Sequence, residues 1–367
     1  MKKVGVLGLG NAGNQVADLA AKIADFDGIA INSSKEDLNN VSHVAKLEIG
    51  DDKGAGKDRK EALAFIKEKI KEIIATEEIG GWFADKDIVF VVSSIDGGTG
   101  SGSTPLTLAA LTSQFKKTKF ILVPIYPDMS QSLVAMENSI AFLKEVNTYV
   151  PNAVVMSFDN NKFSDKSSDM MITTVNEAIV KAMKVFRMDY NKSTPFSSID
   201  DKDLEKIISM PGEIFVAQFE DFTDADLDNE TIEDHLIKII KGDSAQVNME
   251  RDKIIRTFAV ISNLNEDMRS KFNDRLDKVK EIAGSDALGF SHYYVNPEDD
   301  VNRVIIIMSG LSTPDTRIKE ILARKEELEK ATKVRKSSIL DTVEITSSLD
   351  VSDTIKEYSL DDILAKF

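Results

Sequence analysis

Two glycine-rich stretches carry the groups with which this chain could handle a phosphate. The first is Gly8-Leu9-Gly10-Asn11-Ala12-Gly13, which follows the apolar run Val4-Gly5-Val6-Leu7. The second, Asp96-Gly97-Gly98-Thr99-Gly100-Ser101-Gly102-Ser103, follows Ile88-Val89-Phe90-Val91-Val92 and precedes Leu106-Thr107-Leu108-Ala109-Ala110-Leu111. Each reads as a buried strand, a tight turn and a helix start. Glycine lets backbone approach an anion, and the free N–H groups and dipole of the helix start attract it. Thr99, Ser101 and Ser103 add hydroxyl donors. The plainer alternative is a tight strand-to-helix turn that holds no ligand.

Two common phosphate motifs fit poorly. A P-loop needs a Lys after its last glycine, and the second stretch has none. The first stretch matches the Gly-x-Gly-x-x-Gly dinucleotide fingerprint, which also asks for an acid about 20 residues on, at the end of the next strand. That strand, Gly28-Ile29-Ala30-Ile31, ends in Asn32-Ser33-Ser34. An NAD(P)-dependent oxidoreductase therefore stands only as an alternative, without its ribose-binding acid and without an evident catalytic His.

The elements that must position these loops alternate between strand and helix. Helices are predicted over 13–24 and 59–76, the second from Leu63, Ile66, Ile70, Ile73 and Ile74, and strands over 88–93, 119–125 and 153–157. Such alternation predicts a parallel sheet with helices on both faces, whose ligands bind at the carboxyl ends of the strands. A long helix is predicted over 169–189. The second half opens at Pro211-Gly212, with strands at 213–219, 254–263, 291–296 and 303–308 and a helix at 266–283, which reads as a separate α+β domain. Thr313-Pro314-Asp315 is a helix start.

Four loops in order resemble the tubulin/FtsZ superfamily. Gly10-Asn11-Ala12-Gly13-Asn14 looks like its first nucleotide loop and Ala30-Ile31-Asn32-Ser33 like its second. Gly54-Ala55-Gly56-Lys57 resembles the third, and Asp96-Gly97-Gly98-Thr99-Gly100-Ser101-Gly102 the tubulin signature, with Asp96 in place of a glycine. Arg59, standing where FtsZ usually has Pro, is similar to the plasmid and bacteriophage branch, TubZ and PhuZ. The resemblance implies a tubulin-like α/β fold. Its parts are a GTP-binding domain (1–168), a central helix (169–190), a catalytic loop with a short helix (191–212), an α+β activation domain (213–312), a C-terminal helix (313–338) and an acidic tail (339–367).

The resemblance also implies roles. Asp200 and Asp203, in Ser197-Ser198-Ile199-Asp200-Asp201-Lys202-Asp203-Leu204, match the family's catalytic acids; read alone, the segment is a capped helix start. Asn176 and Glu177 match the guanine-reading position, where a solvated polar pair is the plain alternative. Asp128 matches a ribose contact. The cofactors implied are GTP or GDP and Mg²⁺, for which no protein ligand is assigned. A helix of about 20 residues rises ~1.5 Å each, so its far end lies ~30 Å from the loops. Asp200 and Asp203 are then expected to serve the nucleotide of the next subunit, making hydrolysis depend on head-to-tail assembly. A nucleotide-binding scaffold that assembles without hydrolysis is the other alternative. The branch implies filaments that segregate or position plasmid or phage DNA.

Composition bounds the partners. The chain has 367 residues, a formal charge of −16, no Cys and three His. Direct DNA binding, which needs a basic face, is not expected. Neither are disulfides, a Cys or His metal centre, or a membrane span of about 20 apolar residues. No leader precedes Val4, so a cytoplasmic setting in a bacterial cell is expected. The segment 317–336 is basic and 341–367 acidic. Leu360, Ile363, Leu364 and Phe367 fall on one face of a short helix that must dock on its own chain, on a neighbouring subunit or on a DNA-bound adaptor.

Overall fold

The strands of the first half are near-continuous runs of Val, Ile and Leu because helices cover both of their faces. In the computed structural model, β1 (Val4–Leu9), β2 (Asp27–Asn32), β3 (Ala45–Glu48), β4 (Ile88–Ser94) and β5 (Lys119–Tyr126) run parallel in the order β5-β4-β1-β2-β3. The structure describes residues 2–187, 201–219, 234, 244–248, 257–264, 267–272, 290–294, 302–337 and 364–365. On one face, Val16 and Ala17 of α1 (Gly10–Ala24) pack with Phe90 and Val92. On the other, Ile66 of α3 (Arg59–Ala75), Leu106 of α5 (Thr99–Gln114) and Phe142 of α6 (Leu133–Tyr149) share a cluster with Leu7 and Val91.

Local signals explain the starts of these helices. Ser34 caps α2 (Lys35–Asn39), Asp58 caps α3, Thr76 caps α4 (Glu77–Asp85) and Ser132 caps α6. Helix α4 was not anticipated. Its cap and its first-turn Glu77 and Glu78 are a start signal, masked by Gly80-Gly81, which reads as a break. Gly80 is buried against α3.

The second half extends the same sheet. The strand expected over 153–157 is two short ones, β6 (Val154–Val155) and β7 (Phe158–Asp159), both pairing with β5. β8 (Gly212–Phe219) joins β6 through two residue pairs, Val154 with Gly212 and Val155 with Glu213. β11 (Arg303–Leu311) runs antiparallel between β8 and β9 (Thr257–Asn263), and β10 (Phe290–Tyr294) lies parallel to β9. The second-half strands thus share one eleven-stranded sheet with the first.

The narrow seam between the halves holds a titratable group. Glu213 accepts hydrogen bonds from Ser157 N at 3.2 Å and Ser157 Oγ at 2.8 Å. Burial pushes its carboxyl up from 4.5 to about 7, against the pull of those bonds. A folded-state value above the unfolded one means that this contribution is fully present below pH 4.5 and is lost as pH rises through 7. Glu213→Gln keeps an acceptor and removes the ionisation, so it should raise the melting temperature by a few degrees at pH 8 and change it little at pH 4.5. Equal shifts at both pH values would mean that ionisation is not the cause.

Three helices frame the rest. α7 (Ser168–Lys184) buries Val175, Ile179 and Met183 against the sheet, and a 3₁₀ turn continues it to Arg187. α8 spans Asp201–Ile208. α9 (Asp315–Ser337) is fixed by Arg317, buried against Asp159 at 2.8 Å. At the tail, Leu364 is buried in the cluster that contains Phe142, Val146 and Ile321. This is the own-chain docking that was one of the three alternatives; Leu360, Ile363 and Phe367 lie outside the described residues. Among the described residues, no helix is long and apolar enough to cross a membrane.

Candidate functional site

The carboxyl ends of β1, β2, β3 and β4 lead into the four loops, which meet at one cleft of about 380 Å³. Gly10, Asn11 and Ala12 line it from the first loop, and Asn32 from the second. Gly54, Ala55, Gly56 and Lys57 come from the third, and Gly97, Gly98, Thr99 and Gly100 from the fourth. The loops interlock. Gly10 has φ +73° and approaches so closely that a Cβ there would lie 2.7 Å from Gly100 N. Ser33 Oγ and Thr99 Oγ1 are 2.7 Å apart. A Cβ on Gly98 would lie 2.9 Å from Lys57 N.

The arrangement suits an anion. α1 and α5 both start at the cleft, and neither start carries a side-chain cap, unlike α2, α3, α4 and α6. Their first-turn N–H groups and dipoles are left for a ligand. Asn14 is fully buried, and its amide has no hydrogen-bond partner among the described residues. The cleft also holds residues that sequence reasoning did not single out: Leu9, Ser34, Asp37, Lys53 and Ser94. Lys53 and Ser34 flank the recognised loops. Asp37 receives a hydrogen bond from Asn32 Nδ2 at 3.2 Å and so holds that side chain in place.

Several expected residues lie elsewhere. The Ser101 hydroxyl, a candidate phosphate donor, instead donates from Oγ to Gly97 O inside the helix, and Ser103 Oγ donates to Thr99 O at 2.6 Å. The glycine-rich stretch from Thr99 is already the first turn of α5, and mid-helix hydroxyls bond back to preceding carbonyls. Gly13 and Gly102 serve packing, of α1 on β4 and of α5 on α3. Asp128 is buried and accepts from Ser130 N at 2.6 Å. Asn176 is buried in α7 and Glu177 is exposed. None of these residues, nor Asn14, is among the described residues that line the cleft.

Asp96 does line the cleft, and its Oδ1 is engaged by Ser94 Oγ. It is not a helix cap, since α5 starts at Gly98 without one. A carboxylate at the cleft wall repels a phosphate bound there. Asp96→Asn removes that repulsion and should tighten GTP binding roughly three- to tenfold, the effect of one partly screened charge at close range. Calorimetry reads it, and unchanged or weaker binding would show that the carboxylate points away from the ligand.

Helix α8 lies far from the cleft. Asp200 is outside the described residues, and Asp203 falls within α8. Two anchors bracket residues 188–200. Arg187 donates to the carbonyls of Ala24 and Asp25, at the end of α1 opposite the cleft. Glu205 of α8 pairs at 3.4 Å with Lys119, the first residue of β5. α1 has 15 residues and β5 has 8, which places both anchors some 20–25 Å from the loops at the usual rises per residue. Trp82 also sits at this opposite edge, beside Gly5 and Lys86, and would not report directly on the cleft.

Among the described residues, no cluster of three or more His, Asp or Glu could hold a metal ion.

Residues 3–168 match the family model "Tubulin/FtsZ family, GTPase domain". The chain is 28% identical over 221 residues to the tubulin-like protein TubZ of Clostridium botulinum C phage, spanning 59% of this chain and about three-fifths of that relative's length. In structure it is similar to the crystal structure of Clostridium botulinum phage c-st TubZ, with a TM-score of 0.72 at 21% identity over 90% of this chain and 100% of that one. It is likewise similar to TubZ of Bacillus thuringiensis serovar israelensis in a GTPγS-form protofilament, with a TM-score of 0.77 at 15% identity over 92% and 95%. The chain therefore carries a GTPase domain of the Tubulin/FtsZ family within a tubulin-like fold.

Proposed function

We propose that this chain is a GTPase that assembles head to tail into filaments and hydrolyses GTP at the interface between subunits. The observation that carries the reading is the separation just described: the cleft is at the carboxyl ends of the strands, and α8 is at the opposite edge of the sheet. Stacking one subunit on the next brings the α8 edge of one over the cleft of its neighbour, and a contact that does not close on itself grows into a filament. The protofilament form of the Bacillus protein is consistent with this stacking.

Within the cleft, the N–H groups at Gly10–Asn11 and Gly97–Gly100 hold phosphate oxygens, Thr99 adds a hydroxyl, and Lys53 and Lys57 supply positive charge. Beyond that lining, the family resemblance implies that Asn176 and Glu177 of α7 read the guanine and Asp128 the ribose. Asp200 and Asp203 of the next subunit orient and polarise the attacking water. Mg²⁺ would neutralise charge on the phosphates, which themselves supply most of its ligands. Calorimetric titration of the chain with GTP and with NADH tests the ligand: binding of GTP alone is expected, and binding of NADH alone would restore the oxidoreductase reading.

Filaments of this kind fit a role in segregating or positioning plasmid or phage DNA in a bacterial cytoplasm, reached through an adaptor rather than by direct contact. A basic surface on such an adaptor suits the acidic segment 341–367. Deleting 350–367 should then abolish adaptor binding, and it should leave GTP binding unchanged; an unchanged adaptor affinity removes the tail from that role.

A further inference from the structure

Helix α6 and the turn before it carry Gln131, Asn138 and Glu145 at intervals of seven residues, two helical turns apart and so on one side. Gln131 and Asn138 reach the loops of the cleft, and Glu145 reaches Arg59 at the start of α3. Gln131 Oε1 accepts from Lys57 Nζ at 3.2 Å. Asn138 Nδ2 donates to Lys57 O at 3.0 Å, Asp96 O at 3.2 Å and Gly97 O at 3.1 Å. Glu145 takes both arms of Arg59, at 2.8 and 2.7 Å, and Arg59 Nη2 also donates to Ser101 O at 3.0 Å. The third and fourth loops are thus fastened to each other through α6.

Asn138 is the central fastening. It is 5% exposed and does not line the cleft. Its amide draws three carbonyl oxygens toward α6. In a peptide unit the C=O and the following N–H point in opposite directions. Turning the Asp96 and Gly97 carbonyls to α6 therefore turns the Gly97 and Gly98 N–H groups away from it, toward the cleft. We propose that Asn138 is a positioning residue for nucleotide binding, one that aims the amides of the fourth loop at the phosphates and locks the third loop beside them. The inference rests on the cleft being a nucleotide site.

Asn138→Asp tests it. The shape is kept, but the donor becomes a carboxylate facing three carbonyls. At pH 7.5 the variant should bind a fluorescent GDP at least tenfold more weakly than the parent chain, measured at protein concentrations too dilute for assembly. As pH falls toward 5 the carboxyl gains a proton and donates again, so the variant-to-parent ratio of Kd should shrink. A ratio near one at pH 7.5, or a reduced affinity that does not respond to pH, overturns the proposal. Loss of the helical circular-dichroism signal in this variant moves the same comparison at pH 7.5 to Asn138→Ser, whose hydroxyl is too short to reach the carbonyls; parental affinity there overturns it. Failure of the parent chain itself to bind GDP would instead count against the nucleotide reading.

Discussion

Asp200→Ala and Asp203→Ala are each expected to bind GTP and to assemble as the parent chain does, while hydrolysing it about 10²–10³-fold more slowly, the usual effect of removing one group that stabilises developing charge or positions a reactant. Their filaments should persist long after the parent's have dissolved. The remoteness of α8 from the cleft is the reason to expect binding to survive. Asp203 is one helical turn or less from Glu205, which the Lys119 contact fixes at the far edge of the sheet. Phosphate release and light scattering, followed together, measure the two effects. Weakened GTP binding in dilute, unassembled protein would contradict the assignment, because an acid at that edge cannot touch its own nucleotide.

Gly100→Val should abolish nucleotide binding, with a loss of more than about a hundredfold, and assembly should fail with it. A Cβ at this position would lie 2.9 Å from Leu9 O and 3.0 Å from Ser94 O, both backbone atoms of strand ends that cannot step aside. A branched side chain would pry α5 from β1 and open the contact between the first and fourth loops. Overpacking of this kind also costs stability, typically about 1–3 kcal/mol, so affinity is to be read below the variant's melting transition. Gly81→Val is the control: it lies in α4, outside the cleft lining, and nothing lies within 4 Å of a Cβ there. Equal losses in the two variants would point to general destabilisation rather than to the tight contact at Gly100.

The first and fourth loops of the cleft were legible in the sequence because each announces itself, whereas the second, Ala30-Ile31-Asn32-Ser33, and the third, Gly54-Ala55-Gly56-Lys57, were recognised by their resemblance to a known family. Glycines at strand ends mark sharp turns near a ligand, and the runs before them are long and apolar enough to be buried parallel strands. The order of strand and helix then forced the loops onto one edge of the sheet. Ser101 was misplaced because composition does not say where a turn ends and a helix begins; once Thr99 is helical, the hydroxyl two residues on belongs to the helix interior. Asn138 gave no sign at all. It is an unremarked polar residue within an apolar helix, and its importance comes from tertiary contacts to Lys57, Asp96 and Gly97, between 41 and 81 residues away in the chain. The continuity of the sheet was equally hidden. The β6–β8 seam consists of two residue pairs, too short for a pattern, and the shift at Pro211-Gly212 reads as a boundary whether or not the strands beyond it join the same sheet.

The central claim is that the active site is completed by a neighbouring subunit, and GTP turnover per molecule as a function of protein concentration tests it most directly. Over a roughly hundredfold range, with light scattering followed in parallel, the account predicts almost no turnover in dilute protein, a steep rise where scattering appears, and a constant rate per assembled molecule above it, as expected when a second copy supplies the groups that act on water. A rate per molecule that stays flat across that range, with hydrolysis proceeding in solutions that do not scatter, would mean that each subunit carries a complete site of its own.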